Sequence, residues 1–329
     1  MNDLPIPAAE DELPHPLPLE DHGLPWKDTW WFGLRDEDES FVAAFHITLS
    51  PNRRPGCRTS VVIRDGDRDL VDVTSTSPVA GPLIGTPVLG LEIVEPAWDA
   101  SKCLRLRVRH DQVTADLEVT GCFLGVDLGA LAPGILPAGY HGQLLHHAEQ
   151  AVRFQGEVRW TGGPTRPVAG RGFRDRSWGL RKSERMFSGG TLFGGLHLEG
   201  PEPAGMGLLA WRHPDVDPSS LVPAAAWWAD DQTIVGATSG RYLRGGDGRP
   251  SSLELHFSDG RSVVAPDLRN VAEILYSFFE PDLDGTAIAI TCFDHHVRSD
   301  QAGMSGILNH GDPFLADALR HSEFVSGRT

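Results

Sequence analysis

Apolar and polar residues alternate along short stretches of this chain, and turn residues separate the stretches. In Leu104-Arg105-Leu106-Arg107-Val108-Arg109 and again in Val113-Thr114-Ala115-Asp116-Leu117-Glu118-Val119 every second residue is apolar. That is the period of a strand with one buried face. The polar triplet His110-Asp111-Gln112 between them predicts a hairpin. The same alternation returns in Phe154–Trp160 and Leu253–Ser258, each followed by glycine-bearing turn residues. Apolar positions spaced as on a helix face occur near Leu268–Phe279 and Pro313–His321, where short peripheral helices are expected. Neither supplies the strand–helix rhythm of a parallel sheet, so the pattern predicts an all-β protein with few short helices. The first ordered strand is expected from Trp26. Residues 1–22 are rich in Pro and acids without apolar periodicity, an extended arm draped over a domain or left mobile.

Length turns this pattern into two domains. A chain of 329 residues exceeds one ordinary hydrophobic core, and 37 Gly with 25 Pro suit strands joined by tight turns. An internal echo supports a tandem plan. Trp30-Trp31-Phe32-Gly33-Leu34 followed by Phe41–Leu49 resembles Ser177-Trp178-Gly179-Leu180 followed by Phe187–Leu198, each ending in an apolar strand with a late His. Two antiparallel β-barrels on one plan would produce it. The expected domains are 23–169 and 170–329, with the boundary near Gly170.

Charge and motifs narrow the function. A formal charge of −16 with scattered Lys and Arg argues against nucleic acid and anionic membranes as partners. The four cysteines, Cys57, Cys103, Cys122 and Cys292, form no CxxC pair and read as buried thiols in a reducing compartment. Met1-Asn2-Asp3-Leu4-Pro5 opens no signal peptide, and no apolar run approaches the ~18 residues needed to span a bilayer, so a cytoplasmic protein without stable membrane insertion is expected. Phosphate-loop and Gly-x-Ser-x-Gly motifs are absent, which argues against nucleotide-driven and α/β-hydrolase chemistry.

The string His147-Ala148-Glu149-Gln150, the strand through Gly156, and Gly170-Arg171-Gly172-Phe173-Arg174-Asp175-Arg176-Ser177-Trp178-Gly179-Leu180-Arg181 together resemble the central signature of the tandem lipocalin-like superfamily. That superfamily includes carotenoid hydratases, AttH-like proteins and fungal survival-factor proteins, and the match is nearest to its bacterial branch of unknown function. Trp26–Phe32 with Asp36, and Gly90–Pro96, resemble the branch's first domain; Gly306–Pro313 resembles its last strand. The resemblance implies two lipocalin-like barrels with an apolar cavity in or between them. In the hydratases an acid protonates a double bond, water adds to the cation and aromatic residues stabilise the charge. Two departures weigh against hydration. Arg176 stands where the hydratase signature has His, and an aromatic–acid pair is replaced around Leu192 and Phe193, leaving no visible proton donor.

The candidate residues follow. Asp175 is a candidate general acid or base, and Arg176 a cationic anchor for a ligand oxygen; an interface salt-bridge network is the competing reading. On a strand, Arg174 and Arg176 share one face while Asp175 and Ser177 share the other. His147 and Glu149, also on one face, are expected to join the Arg174–Arg176 network. His197, with His46 at the matching point of the echo, is a further proton-transfer candidate. Trp178, Trp31 and Trp211 are candidates to line a ligand cavity, against ordinary packing. Adjacent histidines in His146-His147 and Asp294-His295-His296 diverge on a strand, so no metal site is expected. The expected function is a cofactor-independent hydratase, hydro-lyase or isomerase acting on a hydrophobic terpenoid, steroid-like or polyketide-like molecule. The alternative is a noncatalytic lipid or isoprenoid carrier, and a homodimer is compatible with either.

Overall fold

The computed structural model of the chain describes residues 4–17, 25–53, 56–78, 84–99, 103–131, 145–180, 191–199, 202–211, 220–247, 249–281 and 287–311. The strands of the first half are β1 (Trp26–Asp36), β2 (Phe41–Leu49), β3 (Cys57–Asp65), β4 (Arg68–Ser77), β5 (Ile84–Gly85), β6 (Leu89–Ile93), β7 (Cys103–Arg109), β8 (Val113–Gly121), β9 (Val126–Asp127), β10 (Leu145–Trp160) and β11 (Thr165–Leu180). Those of the second are β12 (Thr191–Leu198), β13 (Ala204–Trp211), β14 (Ser220–Ala229), β15 (Ile234–Arg244), β16 (Pro250–Phe257), β17 (Ser262–Ala265), β18 (Arg269–Pro281), β19 (Ala287–Ser299) and β20 (Met304–Gly311). A 3-10 turn at Ala9–Glu12 and the one-turn helix α1 (Leu128–Leu131) are the helical segments among the described residues.

These strands form two curled antiparallel sheets, β4-β3-β2-β1-β11-β10-β8-β7-β6-β5 and β17-β16-β15-β14-β13-β12-β20-β19-β18, with β9 added against β10. The fold is all-β, two barrels in tandem. Each sheet follows one plan: its first strand, β1 or β12, lies between the strand that follows and the last strand, β11 or β20. The two-part echo in the sequence begins each half at this central position or at the end of the strand before it. The sheets change over between Leu180 and Thr191, whereas Gly170 lies inside β11, opposite both Asp36 and Phe154.

The hairpin expected from alternation is β7–β8, and its residues alternate between buried and partly exposed. β2 is buried along its whole length and β1 almost so, because both of their faces are covered. Trp30, Phe32 and Leu34 point into the first barrel, while Trp31 points into a separate apolar layer between the sheets. Trp227 and Trp228 divide in the same way, Trp227 to the layer and Trp228 to the second barrel. The pleat forces this, since neighbouring residues on a strand face opposite ways.

The helix expected over Leu268–Phe279 is instead β18, paired along its length with β19. The ladder slips once, between Asn270 and Ala272, and from Ala272 to Pro281 it runs unbroken, so the apolar residues of this stretch fall on both faces of the strand. The helix expected at Pro313–His321 lies outside the described residues. None of the four cysteines is joined to another in a disulfide; Cys57 and Cys292 are buried, and Cys103 and Cys122 only half-buried. Among the described residues no helix is long and apolar enough to cross a membrane.

The layer between the sheets closes on glycine. A Cβ added to Gly195 of β12 would lie 1.7 Å from the Phe173 ring of β11. Phe173 in turn stacks on Trp227, with ring centroids 6.1 Å apart. Gly195→Ala is therefore expected to push the sheets apart and destabilise the protein by ~1–3 kcal/mol in urea denaturation. An unchanged midpoint and slope would show that the layer yields at no cost.

Candidate functional site

Cross-strand pairing sets a row of residues on the face of the first sheet that looks toward the second. Ser60 pairs with His46, His46 with Trp31, Trp31 with Asp175, and Asp175 with Glu149. Directly opposed residues in antiparallel strands share a face, so these five side chains stand side by side. All are buried, Asp175 at 7% exposure and Glu149 at 0%. The facing row of the second sheet is Ile274, Asp294, Asn309, Phe193 and Leu209, again by successive pairing. The rows meet where Trp31 and Phe193 pack edge to face, centroids 5.4 Å apart, and where the carboxylate of Asp175 acts on that of Asp294.

Asp294 is the unusual group of this layer. Burial pushes its carboxyl up to about 8, and the neighbouring Asp175 charge adds to the rise, against a lowering hydrogen bond donated by Asn309 Nδ2. Asp294 is therefore a neutral acid at pH 7. Its Oδ2 atom is buried without a protein partner, as are Trp31 Nε1 and both ring nitrogens of His296, two residues further along the same face. Burial pushes His296 well below the ordinary imidazole range, and the positive charges of Arg35 and Arg64 add to that. Such unpaired buried polar atoms are uncommon in a folded core, and here they share one layer. His295, between them in sequence, turns the other way toward Glu273 at 3.2 Å.

Glu149 is held differently. Its Oε2 accepts from Trp227 Nε1 at 2.8 Å and its Oε1 lies 3.0 Å from His147 Nε2. His147 and Glu149 thus pair with each other, as their spacing requires, but they do not join the Arg174–Arg176 network. They lie on the Asp175 face of the sheet, and the two arginines lie on the opposite face.

That opposite face forms one end of the first barrel. Arg176 is fully buried, ion-pairs with Asp28 and lies 3.9 Å above the Trp30 ring, with the Trp178 ring at 5.2 Å. Burial lowers its guanidinium pKa and the Asp28 charge opposes this; an arginine stays charged regardless. Burial alone would raise Asp28, yet hydrogen bonds from His15 and the charge of Arg176 hold it below its usual range. Arg174 lies 4.1 Å over Trp98 and donates to Gln150 Oε1 at 2.9 Å and to Glu12 Oε2 at 2.6 Å. Glu12 belongs to the amino-terminal arm, which drapes across this end. Trp178 is sandwiched between the imidazoles of His15 and His146, at 4.4 Å and 4.9 Å, and the chain bends after it at Gly179, whose φ is 137°.

The remaining candidates separate. His197 sits away from Asp175 and Arg176, donating from Nε2 to the Gly172 carbonyl at 2.7 Å. Burial pushes its imidazole down to about 4, so it is a neutral strut between the sheets at physiological pH. Between pH 5 and 8 its one ring proton stays committed to the Gly172 carbonyl. Trp211 ends β13, and its side chain lies outside the described residues. Among those residues no group of three His, Cys, Asp or Glu is placed to hold a metal ion.

Sequence reasoning missed Asp294 as an acid and Glu12 as a partner. The acid was sought next to Phe193 in sequence. A buried carboxyl, Asp294, stands two strands across, in the same row as Phe193, supplied by β19.

A family model described as "Domain of unknown function (DUF7064)" matches residues 8–200. No curated protein matches the sequence. Among solved structures the chain is similar to a protein described as a "putative AttH" from Nitrosomonas europaea, with a TM-score of 0.56 at 11% identity, over 92% of this chain and 98% of that one. A likeness at that identity carries the tandem fold and not a function.

Proposed function

The chain belongs to the family of domain of unknown function DUF7064, and from its own residues we propose that it is a cofactor-independent acid–base enzyme of the hydro-lyase or isomerase kind. The substrate would be a hydrophobic small molecule of terpenoid, steroid-like or polyketide-like character, held in the layer between the barrels. The observation that carries this reading is Asp294, a buried carboxyl that keeps its proton at pH 7 and faces the Asp175 carboxylate. Environments that push the pKa values of two carboxyls apart assign one as acid and the other as base.

In this reading Asp294 gives its proton to an electron-rich double bond, and a carbocation forms. The faces of Trp31 and Trp227, with the nearby Asp175 charge, stabilise it. Asp175 then accepts a proton, either from a carbon beside the cation, which yields an isomer, or from a water that adds to it, which yields an alcohol. Proton transfer from Asp175 back to Asp294 restores the site, so no oxidant or reductant is consumed. Arg176, on the other face of β11, has no part in these steps.

The test compares organic extracts of cells producing the wild-type chain, Asp294→Asn or Asp175→Asn by mass spectrometry. Wild type alone is expected to convert an apolar species into an isomer, or into one differing by the mass of one water. The carrier reading is favoured by the partners that Glu149 and His197 already have, which make them struts. It would win if all three proteins retain the same apolar molecule and none alters it.

A further inference from the structure

We propose that Arg174 and Arg176 form a carboxylate-binding site at the end of the first barrel, that Glu12 of the chain's own arm occupies it, and that a small aromatic carboxylic acid displaces the arm. This inference concerns the face of β11 opposite Asp175 and stands apart from the acid–base reading.

The receptor is built before any ligand arrives. Arg174 and Arg176 are 3% and 0% exposed, and each guanidinium carbon lies over a tryptophan ring, Trp98 at 4.1 Å and Trp30 at 3.9 Å respectively. Planar guanidinium groups held against aromatic faces keep their N–H edges free for the two oxygens of a carboxylate. Arg176 spends Nη1 on Asp28 and the carbonyls of Thr29 and Ser177, and Nη2 on Leu13 and His15 of the arm, so Nη2 is released when the arm leaves. Its Nε remains buried without a partner, as does Trp98 Nε1.

Glu12 is an incomplete occupant. Its Oε2 meets Arg174, but Oε1 is buried with no partner. Glu12 Oε1 buried without a donor, while Arg176 Nε and Trp98 Nε1 at the same end of the barrel are buried without acceptors, is a costly arrangement, and the tether of the arm enforces it. A free carboxylate can tilt to take both.

The arm also docks by its polar atoms. Between Leu4 and Leu17 only Pro7 and Glu12 are buried. Leu4, Ile6, Leu13 and Leu17 are four of the seven exposed large hydrophobic residues found among the described residues. The arm therefore gains little from apolar burial, the term that holds most segments in place. It is held by the Glu12 ion pair and by His15, whose backbone N–H donates to Asp28 Oδ2 at 2.7 Å and whose ring stacks on Trp178 and lies 3.1 Å from Arg176 Nη2. It is also held by carbonyl bonds that water can replace, Trp30 Nε1 to Glu12 at 3.3 Å, Arg176 Nη2 to Leu13 at 2.8 Å, and Asp127 N to Pro5 at 2.8 Å.

The arm itself displays what the site recognises. It places a carboxylate on Arg174 and, three residues later, lays the flat ring of His15 on Trp178 at an interplanar angle of 7°. An arylacetic acid carries the same two groups on a shorter link, and its larger ring covers more of Trp178 than an imidazole does.

Naphthylacetate is the probe, with the uncharged naphthylacetamide as control, and tryptophan fluorescence and calorimetry follow binding to the full-length chain. Glu12→Gln is expected to bind the acid about tenfold more tightly than wild type does, and to prefer acid over amide by about tenfold or more. The double variant Glu12→Gln/Arg174→Gln is expected to lose that preference. Equal affinities of wild type and Glu12→Gln for the acid, or of Glu12→Gln for acid and amide, would overturn the proposal. A second measurement needs no variant. The backbone N–H of His15, held by Asp28 Oδ2 at 2.7 Å, is expected to exchange with solvent about tenfold faster in wild type saturated with naphthylacetate than with the amide. Unchanged exchange at saturation would mean that the acid does not lift the arm, and would equally overturn it.

Discussion

Arg176→Met is expected to cost the fold ~3–5 kcal/mol, the range found when one partner of a buried ion pair is removed. The guanidinium is fully buried and Asp28 is 1% exposed, so methionine would leave a carboxylate with only His15 to answer it. Losses also include the stacking on Trp30 and the bonds to Leu13 O at 2.8 Å and Thr29 O at 3.3 Å. Arg176→Lys is expected to rescue little, because an ammonium has no planar fork to stack on Trp30 and reach several acceptors at once. The informative control is the double variant Asp28→Asn/Arg176→Met. With both charges gone no carboxylate is stranded, so the double variant should be less destabilised than the sum of the singles, by ~1–3 kcal/mol in a double-mutant cycle. Urea denaturation followed by circular dichroism measures all four proteins. Additive losses would mean that Asp28 and Arg176 contribute independently.

Strand-level features were legible wherever one face of a strand meets solvent. β7 and β8 could be read residue by residue because their polar faces are half exposed. β1 and β2, covered on both sides, gave only an apolar block, and what was readable there was that Trp30 and Trp31 must part. β18 was misread for a related reason. Val271, Ile274, Leu275, Phe278 and Phe279 fall at helical spacing, and only pairing to β19 makes this stretch a strand. No local signal carries that information, because the ladder is supplied by a segment further along the chain.

The site was legible in half. The strand rule put Asp175 on the opposite face from Arg174 and Arg176, and the structure keeps them there. What each face meets depends on residues far away in sequence. Glu12 reaches Arg174 across 162 positions, and Asp294 reaches the Asp175 row only after β19 and β20 have paired beside β12. Asp294-His295-His296 drew attention as a string of metal-ligand types, while its meaning lay in alternation. Asp294 and His296 face the buried layer, and His295 faces away.

The pH dependence of stability tests the protonation state of Asp294 without any substrate. Its carboxyl is raised from 3.8 to about 8 in the fold, so the folded protein holds a proton that the unfolded chain releases. Its contribution to stability is full below pH 3.8 and is lost as the pH rises through about 8. His197, lowered from 6.5 to about 4, and His296, lowered from 6.5, act in the opposite sense. Their contributions are full above pH 6.5 and fall away as acid protonates the unfolded chain first. Between about pH 4 and 6.5 two histidines outweigh one aspartate, so stability rises with pH. From 6.5 to 8 Asp294 alone of the three still changes, and stability is expected to fall by about 1.4 kcal/mol per pH unit. A maximum near pH 6.5 follows. Asp294→Asn keeps the acceptor for Asn309 Nδ2 and has nothing to ionise, so its curve should stay flat from pH 6.5 to 8 where wild type declines. The burial-shifted thiols of Cys57 and Cys122, at about 11, lie beyond this window and leave it clean. Parallel curves for the two proteins would mean that Asp294 is already ionised at pH 7, and it could not then be the proton donor.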